Sequence, residues 1–223
     1  MKIIITESQY RRLIEQEEPE VLHIPSLKYF NNDWNFLQEY MESEGNPLYT
    51  IGGDLNLRYV EIESLGNLLS VGGNLFLAYS EIKSLGNLQT VGGWLDLYGT
   101  KIKSLGNLQT VGGDLGLSSS KIESLGNLRS VGGRLDLRET NIKSLGNLRS
   151  VGGGLDLSGS DIKNLGNLRS VGGWLDLQDS NIESLGNLRT VDGNLDLRDT
   201  PLSKKYSEEE IRKMVNVGGV ILI

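Results

Sequence analysis

The heptapeptide Val71-Gly72-Gly73-Asn74-Leu75-Phe76-Leu77 returns as Val91-Gly92-Gly93-Trp94-Leu95-Asp96-Leu97. It returns again from Val111, Val131, Val151, Val171 and Val191, with a variant from Ile51. The spacing is 20 residues without an insertion. So strict a period requires an architecture in which each unit packs only on its neighbours. The unit reads V-G-G-x-L-x-L-x-x-[ST]-x-I-x-S-L-G-N-L-x-[ST], and its aliphatic positions are Leu75, Leu77, Ile82, Leu85, Leu88 and Val91 in one coil. Those few side chains cannot offset the conformational entropy lost by a whole coil, so a single coil does not fold alone. Coils must stack and share their core. Leu75 and Leu77 alternate with outward residues, the period of a strand. Gly72-Gly73 and Gly86-Asn87 are turn signals. Stacking then aligns equivalent strands in one long parallel sheet, giving a rod of about 40 Å. A helical array or a disordered tract fits neither this period nor the paired glycines.

The segment from Leu75 to Ile82 resembles the leucine-rich-repeat pattern L-x-L-x-x-N-x-L, with Ser80 and Thr100 where that family has Asn. The run S-L-G-N-L-x-[ST]-V-G-G-x-L-x-L is similar to the receptor L-domain variant, and the likeness covers about residues 46–202. It implies a mainly β, right-handed solenoid with short helical caps, and a binding face on the outer side of the sheet. Such a fold serves many unrelated partners, so the likeness speaks to architecture.

The chain ends read as caps, because a bare solenoid end exposes core and sheet edge. Val217-Gly218-Gly219-Val220-Ile221-Leu222-Ile223 matches the repeat in register, which predicts a ninth strand at 220–223. A helix over 207–216 precedes it: Ser207 and Glu210 form a capping box, and Ile211, Met214 and Val215 an apolar stripe. Near the other end, 33–44 reads as an amphipathic helix with Trp34, Leu37, Tyr40 and Met41 inward. The expected organisation is an extension at 1–17, a cap at 18–50, the solenoid at 51–200 and a second cap at 201–223. A short helix through Tyr10, Leu13 and Ile14 is expected in the extension, which resembles the opening of marine bacteriophage proteins. Leu13-Ile14-Glu15 is similar to the L-x-E sites cut by phage prohead proteases. That likeness implies an addressing segment on a virion-associated protein.

Catalytic constellations are missing from the sequence. There is no cysteine, His23 is the single histidine, and no H-E-x-x-H, P-loop or G-x-G-x-x-G stands anywhere. The Gly-Gly pairs recur from coil to coil, with Asp192-Gly193 as the one variant, and so are turns, not phosphate cradles. His23 falls in an irregular stretch and reads as structural or solvated. The expectation is a non-enzymatic protein without cofactor or metal. The net charge is −7, which disfavours nucleic acid as a partner. No apolar run approaches the roughly 20 residues of a membrane helix, and Met1 to Glu7 turns acidic too early for a secretory signal. The host cytoplasm or a virus particle is the expected setting, with the chain a monomer or a weak edge- or face-mediated oligomer.

A comparison between columns locates the candidate site. Positions equivalent to 75, 77, 82, 85, 86 and 88 hardly vary from coil to coil, whereas those equivalent to 74, 76, 78 and 79 vary widely. Coils one to three place Tyr59, Phe76, Tyr79, Trp94 and Tyr98 there, with Phe76 expected diagonally between Trp94 and Tyr98. Such a cluster suits a protein hot spot or stacking on sugar rings. Trp174 lacks an aromatic neighbour and is a weaker candidate. Asp96, Asp136, Asp156, Asp176 and Asp196 form an acidic column, with Arg134, Arg138 and Arg198 expected to offset its self-repulsion in preference to calcium. Arg129, Arg149, Arg169 and Arg189 form a second column that reads as a solubilising stripe. Ser/Thr columns at 80/100/120/140 and 90/110/130/150 raise ice binding as a third, weaker reading.

Overall fold

The structure, a computed structural model, describes residues 21–223; the expectations for 1–17 lie outside them. The chain is a parallel β-solenoid of 20-residue turns. The leucine sheet has nine strands in sequence order, from Leu55–Asn56 through Leu195–Asp196, and then Ile221–Leu222. Register is kept throughout: Leu75 stands against Leu95 and Phe76 against Asp96, and the ninth strand pairs Ile221 with Leu195.

A second parallel sheet accompanies it where the sequence predicts only one. Ten strands build this valine sheet: Leu22–Ile24, Tyr49–Ile51, Leu68–Val71, then Thr90–Val91 and its equivalents to Thr190–Val191, and Asn216–Val217. Thr90–Val91 and its equivalents bring one inward residue followed by Gly-Gly, so no alternation marks them, whereas Leu75 and Leu77 flank an outward residue and mark the leucine strand. The Gly-Gly pair is the corner between the sheets. A Cβ at position 112 would stand 2.1 Å from the Gly92 carbonyl oxygen. The first glycine of each pair is therefore set by close approach of successive backbones. Isolated bridges at Ser64–Ser84, Ser104–Ser124 and Asn164–Ser184 mark a third, discontinuous side.

All six aliphatic columns are buried in one continuous core. The Ser/Thr column at 80, 100 and 120 is buried with them. Ser80 Oγ donates to the Leu77 carbonyl at 2.7 Å and Thr100 Oγ1 to the Leu97 carbonyl at 2.8 Å. These hydroxyls satisfy the backbone of the turn, and the column offers no face to ice.

Each end of the core is covered. At the N-terminal end, the helix Trp34–Ser43 starts at Asp33, whose Oδ1 accepts the Asn35 and Phe36 N–H groups. Trp34, Leu37 and Met41 are buried as expected. Tyr40 is not; it lies against Phe30 on the outside, with ring centroids 5.3 Å apart. His23 belongs to a strand instead of an irregular stretch, and its Nδ1 is 2.8 Å from the Thr50 hydroxyl. At the C-terminal end, Thr200 caps the short helix Pro201–Lys205, an element beyond the single helix expected over 207–216, and Leu202 enters the core. The second cap helix, Glu208–Met214, carries the Ser207/Glu210 capping box in full. Ile211 and Val215 are buried, whereas Met214 faces outward, because a helix this short turns only one narrow stripe to the core.

Candidate functional site

The outer face of the leucine sheet is made of columns with distinct structural duties. The column at 56, 96, 136, 156, 176 and 196 caps the turn after each strand. Asn56, Asp96, Asp136, Asp156, Asp176 and Asp196 each accept, through Oδ1, the backbone N–H two residues on, at 2.9 to 3.3 Å. This Asx-turn is the reason for the acidic column; Asn serves equally in the first coil. A neighbouring column runs a ladder between coils. Asp54 Oδ1 accepts the Asn74 N–H at 2.7 Å, Asn74 that of Trp94 at 2.8 Å, Asp114 that of Arg134 at 2.7 Å and Asn194 that of Val220 at 3.0 Å. Trp94, Arg134, Gly154 and Trp174 stand in the same column and carry no such oxygen.

Charges along the acidic column are compensated as the sequence predicts, with one addition and one exception. Arg138 bonds Asp136 at 2.6 Å and approaches Asp156 at 3.4 Å, Arg134 lies 3.2 Å from Asp156, and Arg198 bonds Asp196 at 2.5 Å. Burial pushes the Asp136 carboxyl up, but the Arg138 side chain and backbone and the nearby Arg134 charge outweigh it, and the net shift is downward. The Arg198 hydrogen bond likewise holds Asp196 below the usual carboxylate range. Asp176 is the exception. Burial, assisted by the Asp156 and Asp196 charges, raises its carboxyl against the Gln178 N–H bond. Among the described residues, no group of three or more His, Cys, Asp or Glu side chains is arranged to hold a metal ion.

The addition is Arg58. Its guanidinium lies over the Phe76 ring, 4.1 Å from the centroid, and reaches Asp96 two coils away at 2.9 Å. Phe76 is thus covered by Arg58 and does not bridge Trp94 and Tyr98. Counting columns reveals that 58 and 76 are near neighbours in adjacent coils, but only the side-chain conformation shows a reach to the coil beyond.

The remaining aromatics meet as a tyrosine row. Tyr59 and Tyr79 stack with centroids 5.4 Å apart and planes 5° from parallel, and Tyr98 meets Tyr79 edge-on at 5.2 Å. Tyr59 and Tyr79 occupy the left-handed region, at φ 59° and 58°, at a local cost of about 1 kcal/mol for such side chains. Gly99 follows in the same column, and a Cβ there would come within 3.2 Å of the Tyr79 ring. The surface is open: Tyr59 is 72% exposed, Tyr79 51% and Trp94 54%. Tyr98 is less so. Trp174 stands apart, with the Arg134 guanidinium 5.0 Å from its ring.

The fold and this face define a parallel β-solenoid with an exposed aromatic patch over its first three coils. Comparison with models of known protein families, with curated proteins and with solved structures finds no match. Among the described residues, no helix is long and apolar enough to cross a membrane.

Proposed function

We propose that the chain is a leucine-rich-repeat solenoid acting as a non-enzymatic binding module, which recognises a protein or glycan through the aromatic face of coils one to three. The observation that carries this reading is that the aromatics serve the scaffold poorly. Trp94 occupies a ladder column where Asp54, Asn74, Asp114 and Asn194 supply an oxygen to the next coil. Tyr59 and Tyr79 hold a backbone conformation that glycine adopts freely in the same column, in the next coil at Gly99 and four coils after Tyr79 at Gly159. Exposed aromatic area is what affinity for protein or sugar surfaces draws on. A bound partner covering Tyr59, Tyr79 and Trp94 removes that area from water.

The test begins with a partner captured from host lysate or a glycan array and measures its affinity for Trp94→Ala and Tyr79→Ala. A loss of at least about tenfold, or ~1.4 kcal/mol, is expected, with the melting temperature nearly unchanged. Variants that bind normally, or that unfold, would show that the aromatics only hold the sheet together. The alternative reading is a structural rod in a virus particle, with residues 1–17 as its address. A rod keeps its place in the assembly after Trp94→Ala; a binder does not.

A further inference from the structure

Side columns of the solenoid pair opposite charges from coil to coil. Lys83 meets Glu63, Lys101 meets Glu81, Lys103 meets Glu123 at 3.2 Å and Lys163 meets Glu183 at 3.1 Å. One column breaks the rule. Arg129, Arg149, Arg169 and Arg189 take the same place in four successive coils, are all exposed, and form no ion pair with a carboxylate among the described residues. Their backbones are bonded in series, Arg149 N–H to the Arg129 carbonyl, Arg169 to Arg149 and Arg189 to Arg169, each at 2.8 Å. The four therefore stand one rung, about 4.8 Å, apart. Like charges at that spacing repel, and no carboxylate among the described residues pairs with them.

A groove of about 570 Å3 runs beside them along the valine sheet. Ser130, Ser150 and Ser170, each one residue after an arginine, line it, as do Ser70, Thr90 and Thr110 in the coils before them. Its floor carries the first glycine of each corner, and Asp192 is the first side chain to enter that glycine column. The arginine column thus stands one residue before the hydroxyl column of a shallow channel of hydroxyls and bare backbone.

We propose that this face binds a linear anionic polysaccharide, a chain of uronate sugars laid along the solenoid axis. One pyranose in an extended two-fold chain advances by close to one rung and alternate carboxylates face the same side, so these meet every second arginine of the column without a change of register. Guanidinium is the side chain best matched to carboxylate, through paired N–H donors. The hydroxyl row and exposed backbone of the groove supply partners for the sugar hydroxyls. Nucleic acid suits the face less well, because columns 69 to 72 and their equivalents up to Asp192 hold no aromatic side chain on which bases would stack. This site lies on the other sheet from the aromatic patch and does not depend on it.

The probe is an oligogalacturonate, titrated by calorimetry into the whole protein at low and at moderate salt. Binding is expected, weakening as salt rises. The double variant Arg149→Gln/Arg169→Gln should weaken it at least tenfold with an unchanged melting temperature, whereas Trp94→Ala should leave it intact. Asp192→Gly, which restores the column's own residue and removes the carboxylate from the groove, should tighten it. The proposal is overturned if the oligomer does not bind, if a neutral glucan of equal length binds as well, or if the double arginine variant retains full affinity. Tighter binding of single-stranded oligothymidylate or polyglutamate of matched charge also overturns it. An unchanged affinity in Asp192→Gly removes the ligand from the groove.

Discussion

Asp176→Asn should stabilise the protein at neutral pH, although it deletes a charge from a column of aspartates that otherwise hold arginines. Two bare carboxylates one rung apart repel by about 1–3 kcal/mol, depending on the effective dielectric. Asp176 has such a neighbour on each side, but Asp156 is offset by Arg134 at 3.2 Å and Asp196 by Arg198 at 2.5 Å. Much of the repulsion is thereby cancelled, and a net gain of about 1 kcal/mol is expected. Asparagine keeps the amide oxygen that accepts the Gln178 N–H at 2.9 Å, as Asn56 does for Arg58 in the first coil. The pH dependence has a definite sign. The folded-state pKa of Asp176 is raised, so the wild type has its full stability from this group below the unfolded carboxylate pKa and loses it as pH rises through the folded value. The gain in Asp176→Asn should therefore be present at pH 7, as an increase of about 2–4 °C in melting temperature, and should vanish near pH 3. Thermal melts at the two pH values decide it, with Asp196→Asn as the control of opposite sign because its pKa is lowered by Arg198. A destabilised Asp176→Asn at pH 7, or a gain that persists at pH 3, would refute the argument.

Burial raises the Tyr49 phenol to about 12, against a small opposing effect of the Gln38 amide that donates to its hydroxyl at 3.1 Å. Wild-type stability should therefore fall between pH 10 and pH 12 by roughly 2–3 kcal/mol more than that of Tyr49→Phe, measured by urea unfolding at each pH. Deleting 201–223 removes Leu202, Ile211 and Val215 from the core and opens an edge on both sheets, so the truncated protein should aggregate in light scattering; a monomer with unchanged melting contradicts this. Chelation by EDTA should leave the melting temperature unchanged, because hydrogen-bonded N–H groups and arginines already engage the acidic column. A calcium-dependent rise of several degrees, abolished by Asp156→Asn, would reverse that conclusion.

The 20-residue period determines by itself that the chain is a solenoid, which six columns point inward, and where the leucine strands fall. It also places the ninth strand, because Val217 to Ile223 copies the repeat after a longer connection, and the Ser207/Glu210 cap, whose geometry is local to four residues. These features follow from short-range spacing that any coil must obey. The tertiary structure decides what lies between coils and at the ends. Most strands of the valine sheet contribute a single inward valine before the Gly-Gly corner, which carries no period until their neighbours are stacked beside them. Tyr40 and Met214 are apolar residues on the correct helices, yet the narrow contact of a cap with the end of a rod leaves both outside. Arg58 spans two coils to meet Asp96 across Phe76, a reach set by side-chain conformation and not by column arithmetic. The acidic column shows the division most clearly. Its repetition is legible in the sequence, but the reason for it, a carboxylate oxygen bonded to the N–H two residues on, depends on the backbone turning at that point. Which aspartate lacks an arginine depends in turn on which neighbours the finished stack brings within reach.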